Sequence, residues 1–570
     1  MNKFLLYLSF FMITSSQFGF AQVNSEKAYN FHPPLDIPLI LAGNFGELRS
    51  NHFHTGLDFK TNRREGLNVY AVDNGFVSRI KVSPYGYGKV VYIDHHNGLT
   101  SVYAHCSDFI GDLDSLVKDT QHKHQHYEID YYPPEQTVRV KKGQIIALSG
   151  NTGGSSAPHL HFELRDTKTE RALNPLLFGF DIKDTRKPVI RGMKVYSVTD
   201  KGYRIPGKDK RISTYGIDGN YKIKGDQITL PANFTSDLGG IGFAFDAIDQ
   251  LDGADNICGI YKAYLIVDKD TVFIQEMTGI DFETNRYINC HKDYEEYHIR
   301  RKHYQKTFKT SHNPLPIYDF VLNNGIVKTM PDTIHTVKYV CIDAEGNSSQ
   351  LQFNLRILAG EPSDLSTLYQ PSEHFLFPDS AYMHEDSNYL IFFPPGTIYE
   401  PTELDLKQQS NRIKFGDYRI PIQDAYKLMI KLEDHGLPDE KYILTRKLGN
   451  RSYSLGGTVH KNWITAWINY FGDFQIETDT IPPVIMWKNF TDHSKIRKNK
   501  TLTWSMRDDL SGIVNYDLYI NDEWYILNYE PKRGIYFFKP PSTLEGKADV
   551  LLRVIDACGN EKTENYTLFF

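Results

Sequence analysis

Between Leu39 and Arg165 short β-prone runs alternate with turn signals, and this punctuation constrains the fold more than any other feature of the chain. Residues 69–72, 76–82, 89–95, 100–105, 138–140 and 144–148 read as strands. They are separated by Asp73-Asn74-Gly75, Tyr85-Gly86-Tyr87-Gly88, Asn97-Gly98 and Lys141-Lys142-Gly143. Turns of this composition join antiparallel strands, because Asn, Asp and Gly tolerate the left-handed backbone that such turns require. A compact antiparallel β domain is expected. Residues 107–137 break the pattern as a polar insertion, with residues 114–118 a candidate helical turn. The insertion also carries His122-Lys123-His124-Gln125-His126. Alternating histidines can bind a metal, but a solvated face is favoured, because no carboxylate or thiol is arranged to complete a site.

The stretch from Gly150 to Arg165 is a small-residue loop, Gly150-Asn151-Thr152-Gly153-Gly154-Ser155-Ser156, that runs through Ala157-Pro158 into His159-Leu160-His161-Phe162-Glu163-Leu164-Arg165. In an extended strand, side chains at i and i+2 share a face. His159 and His161 therefore project side by side, while Leu160 and Phe162 turn to the core. Upstream, His54 and Asp58 lie four apart on Gly43–Phe59, where Gly56 and the lack of helical periodicity indicate a loop-to-strand segment. An imidazole and a carboxylate are ordinary zinc ligands. With His161 they make a three-ligand set that leaves one coordination position for water. Glu163, next on the same strand, reads equally as a carboxylate that supports the site or as a plain surface residue.

A chain of 570 residues divides into about three to five modules. Aromatic content of 13%, with 37 Tyr and 34 Phe, favours β architecture, because these rings fit a pleated, half-buried surface. A net charge of −6 with interspersed signs provides no basic footprint and excludes nucleic acid as the expected partner. Residues 1–21 read as a secretory signal: Lys3, the apolar run 4–13, then Gly19-Phe20-Ala21. The expectation is an exported protein of the cell envelope, periplasmic or at the cell surface, with no membrane span. Five scattered cysteines argue against a disulfide framework; a Cys258–Cys290 pair is weakly supported.

His54-x-x-x-Asp58, Tyr103-Ala104-His105 and His159-Leu160-His161, in that order, resemble the lysostaphin-type (LytM-like) zinc metallopeptidases. The lesser motifs around Gly75-Phe76-Val77, Tyr85–Gly88, Asp94–Thr100 and Val140–Ile146 agree with this. The likeness covers about residues 40–166. It implies an antiparallel β peptidase domain of the duplicated-hybrid, barrel-sandwich type. By position it implies one Zn²⁺ on His54, Asp58 and His161, catalytic roles for His105 and His159, and peptidoglycan stem or crossbridge peptides as substrate. Ala157 departs from the family's usual Gly, and the 107–137 insertion enlarges one wall of the groove. Both bear on substrate preference.

The rest of the chain reads as β modules. Asp184-Thr185-Arg186-Lys187-Pro188-Val189-Ile190 recurs as Asp479-Thr480-Ile481-Pro482-Pro483-Val484-Ile485, and Asp255–Ile260 recurs as Asp508–Ile513. Ile342–Asn347 recurs as Ile555–Asn560. Two immunoglobulin-like β-sandwich modules are expected at 181–360 and 479–570, the first enlarged by an insertion at about 273–332, with another β-rich unit at 361–478 between them. The repeated acidic turns are compatible with Ca²⁺, but turn chemistry alone accounts for their Asp, Asn and Gly. The peptidase domain, residues 22–180, is expected to fold alone, with the modules docking wall or protein partners. The alternative function is a non-catalytic wall-binding or regulatory protein that keeps the peptidase fold. A biotinyl carrier is disfavoured for want of a modification lysine, and an adhesin leaves the five matched residues unexplained.

Overall fold

The computed structural model describes residues 29–364, 366, 372–409, 412–433 and 436–570; the signal-peptide reading falls outside them. The front of the chain forms β1 (Leu41–Gly43), β2 (Leu57–Lys60), β3 (Asn68–Tyr70), β4 (Gly75–Val82), β5 (Lys89–His95), β6 (Leu99–Cys106) and β7 (Asp108–Phe109). After α1 (Asp112–His124) come β8 (Ile129–Tyr131), β9 (Arg139–Val140), β10 (Ile145–Leu148), β11 (His159–Asp166) and β12 (Ala172–Leu173). The main antiparallel sheet runs β1-β2-β11-β6-β5-β4-β8, and β3-β10-β7 forms a second sheet. The strands fall where branched and aromatic runs lie between turn residues. At the Asn97-Gly98 turn, for example, Gly98 takes a φ of +84°, which only glycine adopts without strain.

The insertion is more ordered than its composition suggested. Residues 112–124 form a continuous helix rather than a single turn, anchored by the buried Leu113 and Val117. Acidic Asp112 and Asp114 at its start and basic residues in its last turn complement the helix dipole. His122 and His124 lie on this helix, and His122 packs edge-on against the Trp524 ring of the last module at 5.6 Å.

One core cluster gathers Leu57, Phe59, Tyr103, Leu160, Phe162 and Leu164 from the front sheet, as the alternation in β11 requires. It does not end at Phe180. Leu251, Cys258, Met277, Ile280, Ile288, Leu315 and Ile317, all from the next unit, belong to the same cluster. β12 also pairs with Gly279–Ile280 (Ala172↔Ile280, Leu173↔Gly279). The Asn285 side chain accepts from Phe53 N–H at 2.6 Å and donates to Phe53 O at 3.3 Å. The Lys292 ammonium donates to the carbonyls of Arg49 and Ser50, each at 2.6 Å. The expectation that the front segment closes its own core thus meets a shared core, built from residues of the following unit inside and outside its insertion.

Residues 189–357 form two sheets around a separate cluster that includes Phe243, Phe245, Leu265, Tyr339 and Phe353. Two five-stranded sheets follow, sharing Phe393, Phe415, Tyr426 and Phe471. Residues 484–569 close two four-stranded sheets on Trp504, Leu518, Val550 and Leu552. This last unit folds back onto the front: the Lys532 ammonium donates to Asn151 O, and Tyr516 and Ile526 pack against the front core. All five cysteines are buried free thiols. No helix among the described residues is long and apolar enough to cross a membrane.

Candidate active site

The register of β2 against β11 builds the site. Asp58 stands directly opposite His161, and His161 in turn stands opposite Ala104 of β6. Cross-strand partners share a face, so Asp58 and His161 meet. His54 arrives from the preceding loop, pinned by His54 N–H to Glu47 O and Gly46 N–H to His54 O, both 2.9 Å. Gly56 must be glycine here: a Cβ would come within 2.4 Å of Phe162 O and 3.0 Å of the His161 ring.

Three donor atoms converge. His54 Nε2 lies 3.0 Å from Asp58 Oδ1 and 3.1 Å from His161 Nδ1, and His161 Nδ1 lies 2.9 Å from Asp58 Oδ1. Each of the three residues is held from behind. His54 Nδ1–H donates to Asn44 O at 2.7 Å, Arg49 donates to Asp58 Oδ2 at 3.0 Å, and His161 Nε2–H donates to Glu163 Oε1 at 2.9 Å. With the far nitrogens protonated, both near nitrogens turn lone pairs toward the same point as a carboxylate oxygen. That donor set fits a metal ion.

Electrostatics agree. Burial raises the Asp58 carboxyl, but His54, His159 and His161 outweigh it and hold the group well below the usual carboxylate range. Burial pushes His54 down. Burial also lowers His161, yet hydrogen bonds to Asp58 and Glu163, with their charges, carry it up to about 9. The site attracts positive charge.

His105 and His159 join this cluster, their rings 4.8 Å apart and His105 5.9 Å from the His161 ring. His159 Nε2 lies 3.4 Å from Asp58 Oδ1. His105 is held at a φ of +60°, a conformation rare for a side-chain-bearing residue, and its Nδ1–H donates to Thr152 O at 2.8 Å. His159 Nδ1–H donates to Ala157 O, also at 2.8 Å. Burial, followed by His161 and His159, pushes His105 down to about 3, so it is neutral. The structure brings together all five residues singled out in the sequence.

Of the residues behind them, the sequence left Glu163 open between a supporting and a surface role. Glu163 is fully buried and also accepts from Tyr87 (2.5 Å), Thr55 (2.7 Å) and Arg165 Nε (2.7 Å). It is therefore a supporting carboxylate and not a surface one. Its signal was the i+2 spacing from His161. Arg49, Asn44 and Thr55 had none.

A model of peptidase family M23 matches residues 52–122 and 122–175, and a Zu5-like domain model matches residues 373–479. The chain is 37% identical over 123 residues to an uncharacterized metalloprotease of Haemophilus influenzae, covering 22% of this chain and 20% of that protein. It is 35% identical over 111 residues to the peptidoglycan DD-endopeptidase ShyA of Vibrio cholerae, covering 20% of each. The DD-carboxypeptidase/endopeptidase Mpg of Neisseria meningitidis is 27% identical over 146 residues, covering 26% of this chain and 25% of the relative. The chain thus spans about a quarter or less of the length of these relatives. Among solved structures, the catalytic domain of lysostaphin from Staphylococcus simulans is 27% identical, with 24% of this chain and 87% of that chain covered and a TM-score of 0.18. Across residues 52–175 the front of this chain matches the model of peptidase family M23 and is similar to LytM-type metallopeptidases.

Proposed function

We propose that the chain is an exported zinc endopeptidase that hydrolyses peptide bonds of peptidoglycan stems or crossbridges. The observation that carries this reading is the convergence of His54 Nε2, Asp58 Oδ1 and His161 Nδ1 within 3.1 Å of one another, beside two further histidines. The relatives named as peptidoglycan DD-endopeptidase and DD-carboxypeptidase/endopeptidase support the substrate class. The leader-like residues 1–21 support export.

His54, Asp58 and His161 would hold Zn²⁺, which would supply a Lewis acid for the scissile carbonyl and for the attacking water. The proton work falls to histidine, because no Glu base of the His-Glu-x-x-His kind is present. Thr152 O and Ala157 O hold the Nδ1 protons of His105 and His159, so each ring offers Nε2 as an acceptor. Once protonated there, each becomes a donor to the leaving amine or to the oxyanion. Asn44, Arg49 and Glu163 keep the ligand rings and carboxylate in place. Lys532 of the last module touches Asn151 beside this face, where the module borders a long substrate.

The test is incubation of zinc-loaded and metal-free full-length protein with purified peptidoglycan, with released fragments identified by mass. Crosslink-derived peptides should appear only with the loaded enzyme. Binding to peptidoglycan without any released fragment would favour the non-catalytic alternative and overturn the proposal.

A further inference from the structure

The two modules that repeat each other in sequence also repeat a carboxylate cluster. In the first, one oxygen from each of Asp184, Asp249 and Asp343 lies within 4.8 Å of the others; in the second, Asp479, Asp508 and Asp556 do the same. Asp249 directly follows the strand Gly240–Ile248, and Asp508 directly follows Leu502–Arg507. The structural counterpart of Asp508 is therefore Asp249 and not Asp255, whose side chain is 95% exposed. A longer loop separates Asp249 from Cys258-Gly259-Ile260 while leaving the carboxylate at the strand end.

The surroundings are matched as well. Asp343 Oδ1 accepts from the N–H groups of Glu345 and Asn347, as Asp556 Oδ1 does from Cys558 and Asn560. Asn347 Nδ2 donates to Asp184 O, and Asn560 Nδ2 to Asp479 O. These bonds fix the Asp343 and Asp556 carboxylates and tie their turns to the backbone of Asp184 and Asp479. Asp249 is 1% exposed, and its Oδ1 is buried without a hydrogen-bond partner among the described residues; Asp508 Oδ1 is in the same position. An ionised carboxylate oxygen shut off from water and from donors is costly unless a cation meets it. The Arg186 guanidinium is engaged with Gln250, Ala254 O and Asp255.

We propose that Asp184, Asp249 and Asp343 form a Ca²⁺ site, repeated in the last module by Asp479, Asp508 and Asp556. All donors are oxygens, which suits a hard cation. A flexible set of carboxylates suits Ca²⁺ better than Mg²⁺, which demands a tight octahedron and keeps its waters. The first cluster borders a cavity that Asn44 and Ile182 also line. Asn44 is the residue whose carbonyl holds His54 Nδ1–H, and its side chain exchanges two hydrogen bonds with Gly259. A filled first site thus braces the module against the peptidase sheet.

The test uses the zinc-loaded full-length protein, so that the histidine site is occupied, in equilibrium dialysis against radioactive Ca²⁺ at concentrations on the order of 10⁻⁴ to 10⁻³ M. Asp249→Asn should bind one Ca²⁺ fewer per chain than the unchanged protein, while Asp255→Asn should bind the same number. A folded Asp249→Asn variant with undiminished Ca²⁺ overturns the first site. Asp184→Asn, which alters the half-buried rim, repeats the comparison if Asp249→Asn fails to fold. Independently of any substitution, millimolar Ca²⁺ should raise the Tm of the unchanged protein by several degrees where equal Mg²⁺ does not. No difference between the two ions overturns the proposal.

Discussion

His161 Nε2 and Glu163 Oε1 lie 2.9 Å apart, and Glu163 itself has no exposed surface. The carboxylate fixes which ring nitrogen carries the proton and so leaves Nδ1 free for a metal. Glu163→Gln should lower zinc affinity about 10- to 100-fold, measured by competition with a chromophoric chelator. An unchanged affinity would show that the ring is oriented by β11 alone. Glu163→Ala should be worse for the fold, because it strands Arg165, whose Nε donates to Glu163 at 2.7 Å. Breaking a buried pair in this way costs about 3–5 kcal/mol.

Asp58→Ala and His161→Ala should each lose the bound zinc while the units beyond residue 360 keep their folded signal. Elemental analysis of the purified variants reads this directly. One zinc per chain retained in both would sink the ligand assignment.

The two remaining histidines should behave differently. His105→Ala and His159→Ala are expected to keep zinc and lose about 10²- to 10⁴-fold in rate, the usual worth of a positioned acid or base. Metal content and peptidoglycan cleavage must be measured on the same preparations. Near-parental rates with full zinc would refute the proton-transfer role.

How much of this was legible depended on the range over which each contact is encoded. Period-two alternation places His159 and His161 on one face and Leu160 and Phe162 in the core, a local rule that the structure follows. The pairing of Asp58 with His161 spans 103 residues, and no spacing announces it; only the ordered likeness to a family pointed there. Glu163 stayed ambiguous because its burial depends on Tyr87, Thr55 and Arg165 closing over it. Helix α1 was shortened in the reading because its polar surface hides a stripe of only two buried apolar residues, Leu113 and Val117. The seam with the next unit was invisible, since Asn285 and Lys292 meet bare backbone at Phe53, Arg49 and Ser50, which carries no sequence signature.

That seam also carries a titratable group. His291 is fully buried, with Nε2–H donating to Gln305 Oε1 at 3.2 Å, Nδ1 3.1 Å from the Tyr318 hydroxyl and the Phe53 ring 5.7 Å away. Burial, offset in part by Gln305 and reinforced by Lys306 and Lys292, pushes it down to about 4. The unfolded chain binds this proton at about 6.5, so between these values the unfolded state holds more protons than the folded one. The contribution to stability is full above pH of about 6.5 and is lost as the pH falls toward 4. Urea unfolding across that range should show the loss, on the order of 3 kcal/mol for this group. In His291→Gln the slope against pH should fall by up to one proton. An unchanged slope would mean that other groups carry the acid sensitivity.

The shared core makes a last prediction about truncation. Residues 22–180 expressed alone would expose the front faces that Met277, Ile280, Ile288, Leu315 and Ile317 cover, and would leave Ala172 and Leu173 paired with β11 alone, without Gly279–Ile280 on their other side. The N–H and C=O of Phe53 would also exchange the Asn285 amide for water, at about 0.5–1.5 kcal/mol per hydrogen bond. These losses act together on a fold whose margin is typically about 5–15 kcal/mol. The isolated segment should therefore be insoluble or melt well below a 22–360 piece, with Asn285→Ala in the full chain showing a smaller loss of the same kind. Thermal melts of the two pieces and the variant, followed by circular dichroism, make the comparison. Equal melting temperatures for the two pieces would mean that the front sheets close without their neighbour, and that the seam serves orientation and not stability.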